Sequence, residues 1–419
     1  MAAYTICGIA KSVAPLPIGR DKYGRIDARR MKPDEAPEAH ALRPGPIPKL
    51  EALLLLLISY VLCAGAWAAA PVAEPLNRDA LKVRSIERAV LLAAAVAGQR
   101  IVAVGERGIV ALSDDTGRTW RQAQRVPVSV TLTAVRFVND RQGWAVGHAG
   151  VVLHSEDAGE NWSRQLDGVA LAQLALRDAQ ANLQRTSGND VQAQRMVREA
   201  ELLVKDGPDK PFFDLEFSDS SRGIVVGAYN LIFATSDGGQ SWQPLMSRTD
   251  NAKSLHLYAV RRKGDAIYIA GEQGLLLRSS DAGLTFTRSS ASYRGSWFAL
   301  ALPNDGSIVV AGLRGNAYRS IDNTQSWTRL TDVGPISFVS ATSINDRGVV
   351  LANQAGRLFA VADAQSELRM LPGPALPTLT SLLPLPDGNL LALTIQGPIV
   401  VQISSPSKAQ PPTSSTVTK

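Results

Sequence analysis

The sequence predicts an all-β fold, a seven-bladed β-propeller with an inserted helical hairpin. Three observations predict it. A short hydrophobic strand ending in a G-x-x-G-like turn occurs seven times. A second motif, S-x-D-x-G-x-x-W, follows that turn at a constant offset. The spacing of copies, close to 41 residues, is that of a four-stranded propeller blade.

The turns begin at Gly105, Gly147, Gly227, Gly271, Gly312, Asn353 and Thr394, in steps of 42, 80, 44, 41, 41 and 41 residues. Glycine here is expected to supply positive φ. The second motif places an acid seven residues beyond each turn's last position, at Asp115, Asp157, Asp237, Asp281 and Asp322. An aromatic follows at Trp120, Trp162, Trp242, Phe286 and Trp327. At the sixth copy these offsets fall on Asp363 and Leu368, and at the seventh on Ser404 and Ala409, so the motif has decayed. The Asp side chain can accept bonds from N–H groups of its own tight turn, and the ring can fill the wedge between neighbouring sheets. Both roles are structural, and these residues are not read as catalytic aspartates.

Each repeat reads as four strands. Repeat five shows them as SWFALALP, SIVVAG, GNAYRS and SWTRL. Repeat seven lacks a fourth strand, and ALKVR at 80–84, ahead of a first innermost strand near 90–95, is expected to supply it and close the ring. The propeller is assigned to 80–403. The 80-residue step hides an insert at 167–206. Segments 169–184 and 191–205 carry helix formers at helical spacing, and SGND at 187–190 offers an N-cap for the second. The resulting hairpin belongs on the face of the G-x-x-G turns, opposite the Asp motifs.

Composition narrows the function. The net charge is +6, with no dense basic stripe, which argues against a nucleic-acid partner. Arg261-Arg262-Lys263 is read as a solvated loop. The only cysteines, Cys7 and Cys63, precede the repeats, which suits an oxidising compartment. Residues 52–66 form a 15-residue apolar run followed by Ala66-Trp67-Ala68. Segment 51–68 is therefore read as a signal peptide or membrane anchor, and the chain as exported and periplasmic. Tyr60-Val61-Leu62 is bulky for a lipid-modified Cys63. Residues 1–50 and 404–419 are expected to be disordered, and Met31 is the more natural start.

The repeats resemble the Asp-box (BNR) propellers and, within them, the photosystem II stability and assembly factor family and its relatives in non-photosynthetic bacteria. The resemblance is carried by GWAVGHAGVVLHSEDAGENW at 143–162, HLYAV at 256–260, AGEQGLLLRSSDAG at 270–283, YRGSWF at 293–298 and GLRGNAYRS at 312–320. It implies a non-enzymatic assembly or accessory factor, acting on a membrane protein or membrane complex. The chain is expected to be a monomer without cofactor.

The candidate partner-binding set is the ring of turn residues at the channel mouth: Arg107, His148, Tyr229, Glu272 and Arg314, with Glu106, Gln273, Gln354 and Gln396 beside them. His256, Tyr258, Tyr293 and Arg294 should reach the same face from the starts of two innermost strands. A sialidase-like glycosidase is the competing reading, and a sugar-binding propeller a third. The enzyme needs an arginine cluster, a Tyr–Glu pair and an acid at suitable separation. Arg107, Arg314, Tyr229 and Glu272 supply the types, but no F-R-I-P-like segment or placed third arginine accompanies them. Of four histidines only His148 and His256 lie near the ring, too few for a zinc site.

Overall fold

The computed structural model describes residues 74–403, apart from 187–189, 332–333, 345–347 and 362–366. The export segment, both cysteines, Met31, Asp363, Ser404, Ala409 and the tail lie outside the described residues. Seven antiparallel sheets span 91–122, 132–166, 212–244, 257–290, 297–329, 338–370 and 379–401, with strands in sequence order inside each sheet. Among the described residues six sheets have four strands and the seventh has three. Each innermost strand packs against the innermost strand of the next blade, and the seventh packs against the first, so the blades close into a ring.

The hydrophobic pattern follows from this radial stacking. The second strand of a blade has neighbours on both faces, so Gly143–Gly147, Gly223–Gly227, Ile308–Gly312, Val349–Asn353 and Leu390–Thr394 are buried at every position. Such strands read as continuous apolar runs rather than alternating ones. The innermost strands, with one side on the channel, mix buried and half-buried positions.

Ring closure differs from the expectation. Residues 80–84 form no strand. The Ala80 N–H donates to the Val126 carbonyl and the Leu81 N–H to that of Arg107, which ties this segment to blade 1. Blades 1 and 7 are joined instead by packing of Leu91, Ile101 and Ala103 against Leu385, Leu391 and Leu393. The Thr380 hydroxyl adds a bond to the Leu91 carbonyl (2.6 Å).

The insert forms two helices, α1 (Gly168–Arg185) and α2 (Val191–Asp206). Asp167 and Asp190 cap them, each accepting two backbone N–H bonds from the first turn. Gly207, at φ 78°, follows the last turn of α2. Small side chains, Ala172, Ala175 and Ala179 facing Ala193 and Ala200, are buried where the helices pack. The hairpin leaves the last strand of blade 2 on the face of the G-x-x-G turns, and Leu171 lies against Gly150 of that blade's turn. Among the described residues no helix is long and apolar enough to cross a membrane.

The Arg261 cluster is also placed differently. Leu257–Lys263 is the innermost strand of blade 4, and Arg261 faces the channel rather than standing in a solvated loop.

Candidate functional site

Two motifs at opposite ends of the blade's third strand give the molecule two unlike faces. On the Asp-box face the local geometry repeats. Asp115 Oδ1 accepts from the Thr119 N–H (2.8 Å), Oδ2 accepts from its hydroxyl (2.6 Å), and the Ser113 hydroxyl donates to Oδ1 (2.9 Å). Asp157, Asp237, Asp281 and Asp322 each accept the same pair, a backbone N–H and a side-chain donor four residues on. These bonds favour the ionised form. They hold Asp115, Asp237 and Asp322 at about 2, with Asp157 and Asp281 also below the usual range. The box aromatics divide. Trp162, Trp242 and Phe286 are buried, whereas Trp120 and Trp327 are half-buried. The boxes also tie neighbours together, since the Trp162 N–H donates to Arg125 of blade 1 and the Phe286 N–H to Arg248 of blade 3.

On the opposite face the G-x-x-G turn is a rigid pedestal. Its first glycine is needed for close approach rather than for positive φ. Gly105 is extended (φ −164°), and a Cβ there would lie 2.1 Å from the Val90 carbonyl oxygen. The fourth position carries the positive φ, with Gly108 at 73°, and Asn230 takes that place in blade 3 at 63°. In blades 1 to 5 the third position is also left-handed, although it is never glycine. Arg107, Ala149, Tyr229, Gln273 and Arg314 have φ from 52° to 58°. Non-glycine residues rarely adopt this conformation and hold it only where surrounding structure imposes it. Here it presents Arg107, Gln273 and Arg314 to solvent and leaves Tyr229 51% exposed.

A second feature sits inside these turns. All seven innermost strands carry a register shift at their second residue, namely Leu92, Thr133, Phe213, Tyr258, Phe298, Val339 and Thr380. A bulge re-aims a side chain, and all seven residues line the central channel, a cavity of about 160 Å³. Three successive blades contribute aromatics. Phe213 and Phe298 each lie 5.3 Å from Tyr258, and His256 bridges outward to the Tyr229 ring at 4.6 Å. An aromatic row thus runs from the exposed mouth into the channel.

The predicted residues fall into three groups. Tyr229, His256 and Glu272 come together. The Tyr229 N–H donates to His256 Nδ1 (2.8 Å), and the His256 N–H donates to Glu272 Oε2 (3.3 Å). Burial lowers the His256 pKa, and accepting a bond at Nδ1 likewise favours the neutral ring. Burial likewise lowers His148. Arg107, Arg294 and Arg314 are exposed, on blades 1 and 5 and on the connection that enters blade 5. Tyr293 turns inward: its hydroxyl donates to the Leu313 carbonyl (2.8 Å) and its ring lies 4.5 Å from Trp297, which leaves it half-buried against blade 5. Tyr229 meets His256 and Lys210, and Glu272 meets the His256 backbone.

The channel also holds charges that sequence reasoning missed. Arg136, Asp214, Glu216 and Arg261 come from blades 2, 3 and 4, and Asp214 lies between the two arginines. Burial pushes the Glu216 carboxyl up, against the attraction of Arg136 and Arg261. For the bulge ring, repeat position did offer a signal: each bulge residue lies 13 or 14 positions before the first residue of its turn. Arg136, Glu216 and Arg261 share a repeat position too, three residues past the bulge, but nothing marked how the four charges would pair, because they pair only across blades. Among the described residues no group of three or more His, Cys, Asp or Glu is arranged to hold a metal.

Seven radial sheets closed into a ring, with five Asp motifs on one face, define an Asp-box propeller. The chain matches the family described as Photosynthesis system II assembly factor YCF48 over residues 77–207 and 202–362, more than half its length, and it belongs to that family. The photosystem II assembly lipoprotein Ycf48 of Synechococcus sp. (strain CC9902) is 29% identical over 116 residues, 27% of this chain and 35% of that protein. The protein of the same name from Prochlorococcus marinus (strain SARG) is 31% identical over 139 residues, 33% of this chain and 40% of that protein. The chain therefore matches well under two thirds of the length of these relatives. Among solved structures, YCF48 bound to D1 peptide superposes with a TM-score of 0.56 at 15% identity, covering 78% of this chain and 99% of that one. YCF48 from Cyanidioschyzon merolae gives 0.53 at 16%, covering 75% and 95%. At these identities the likeness is one of fold.

Proposed function

We propose that this chain is an exported, non-enzymatic scaffold that docks a segment of a membrane protein on its G-x-x-G face and acts as an assembly or accessory factor. The observation that carries this reading is the contrast within a repeated turn. One strained backbone recurs in five of the seven turns at the channel mouth, yet it presents Arg107, Ala149, Tyr229, Gln273 and Arg314 in turn. Loops on a rigid scaffold are where binding residues concentrate. The candidate surface comprises Arg107, His148, Tyr229, His256, Tyr258, Glu272, Arg294 and Arg314. Exposed arginines suit carboxylates, which they can take through paired bonds.

Family membership supports the assembly role, and the relatives' description as lipoproteins supports export to a membrane-facing compartment. The neighbour bound to a D1 peptide supports a peptide segment as the class of ligand. The periplasm is the compartment we assign, on the apolar run at 52–66.

The test is crosslinking followed by affinity purification from cells expressing wild type or the Arg107→Glu/Arg314→Glu double variant at equal levels. A membrane protein recovered by wild type and lost by the variant is expected. Equal recovery would remove this face as the electrostatic docking site. Hydrolysis of a sialoside or other glycoside by the wild type would overturn the non-enzymatic reading.

A further inference from the structure

A second concavity lies away from the channel, under the helical hairpin. It encloses about 340 Å³ between α1, α2 and blade 3, within the range of about 300–1,000 Å³ typical of ligand pockets. Its floor is apolar, from Ala175, Ala179, Met196, Ala200, Leu203 and Met246. The alanines that let α1 and α2 approach also leave the space, since none fills it. Two large apolar side chains stand exposed at its edge, Leu202 (54%) and Tyr229 (51%).

The rim is acidic. Asp178, Glu199 and Asp206 line the groove against one cation, Lys210. Glu199 is held by Arg195 and the Ser254 hydroxyl, and Lys210 binds Asp206 and Asp209. Asp178 differs. Its carboxylate makes no hydrogen bond or ion pair among the described residues, and Arg185 and Arg248 act on it only from beyond pairing distance. Burial disfavours its charge, as expected of a carboxylate set in an apolar wall without a partner.

We propose that this groove binds a partner-protein segment that presents an apolar side chain beside a lysine or arginine, the apolar group on the Ala/Met/Leu floor and the cation on Asp178. The charge complementarity is specific. An apolar group alone would cover Asp178 and leave it unpaired, and an acidic segment would bring its charge against that same unpaired carboxylate. The groove reaches Tyr229, so a segment seated in it continues onto the channel mouth. The proposal rests on the docking reading of that face and adds a second subsite of opposite charge preference, because the mouth offers exposed arginines and the groove carboxylates.

The experiment uses the full chain and fluorescein-labelled short peptides, read by anisotropy. One peptide combines leucines with lysines, a second replaces the lysines by glutamates, and a third replaces the leucines by serines. The Leu/Lys peptide should bind at least about tenfold more tightly than either counterpart. Asp178→Asn should weaken it about tenfold, and Ala200→Trp, which fills the groove, should abolish binding. Thermal unfolding of each variant, with the near-isosteric Asp178→Asn as the conservative probe, separates lost binding from lost folding. Equal binding of the Leu/Glu peptide, or wild-type affinity in both groove variants, overturns the proposal. Loss in the Arg107→Glu/Arg314→Glu variant with groove variants unaffected would place the peptide at the mouth, which overturns the groove and spares the docking reading. Failure of the docking reading would appear separately, as partner recovery indifferent to the arginine pair.

Discussion

The two faces of this propeller use the same strands to opposite ends. On the Asp-box face the side chains repeat: five acids, each bonded to a donor pair four residues on, close their own loops and leave little for a partner. On the G-x-x-G face the backbone repeats and the side chains do not. Repetition of chemistry marks what every blade needs in order to fold. Variation of chemistry on a repeated backbone marks what the assembled ring is free to use. The seventh blade makes the same point from the other side: the Asp motif does not recur there, and closure depends on packing against blade 1.

The comparison can be tested by substitutions that should differ sharply in cost. Trp242→Ala on the box side empties a site that is only 5% exposed, and should destabilise by about 3–5 kcal/mol. Trp120→Ala, at a half-buried ring, should cost clearly less. Equal melting temperatures for the two variants would break the assignment of packing to the buried box aromatics. Gly105→Ala places a methyl 2.1 Å from a carbonyl oxygen, and about 1–3 kcal/mol is expected from such overpacking by denaturant titration. An unchanged midpoint would show that the turn backbone yields, and that the pedestal is not rigid.

The box carboxylates add a pH dependence of known sign. Asp115, Asp237 and Asp322 lie at about 2 when folded, below an ordinary value of about 3.9. Their contribution is therefore present above about pH 4 and lost as pH falls toward about 2. The melting temperature should drop across that window, and Asp237→Asn should make the drop shallower. A slope unaltered by that variant would assign the acid sensitivity elsewhere. The smallest effect is expected on the other face. Arg107→Glu/Arg314→Glu alters only exposed side chains and should change stability by no more than about 0.5 kcal/mol, while abolishing partner recovery.

Much of the fold was legible because a propeller repeats. Two motifs in register give the blade count, and the insert announces itself as the one long step, with Asp190 readable as a cap. The site was less legible. Tyr229, His256 and Glu272 do meet, because turn and strand start are adjacent in every repeat. Tyr293 lies four residues ahead of its innermost strand, where His256 lies one ahead of its own, and its ring is drawn onto blade 5 by Trp297 and Tyr318. Phe213 and Phe298 are the second residues of their strands, and only the bulge turns them to the channel.

What the sequence by itself determined was local and periodic: strand length, turn chemistry, the Asp motif's bonds within a few residues, the helix caps and the number of blades. These depend on contacts close along the chain, and so they leave a pattern in it. What only the tertiary structure decided depends on residues far apart. Arg136, Asp214 and Arg261 meet from three blades across one channel. ALKVR stays with blade 1 because its backbone finds partners at Val126 and Arg107, not at the edge of blade 7. The groove under the hairpin exists because alanines on two helices are apposed over Met246 of blade 3. None of these has a spacing rule, since closure of the ring, rather than proximity in sequence, brings the groups together.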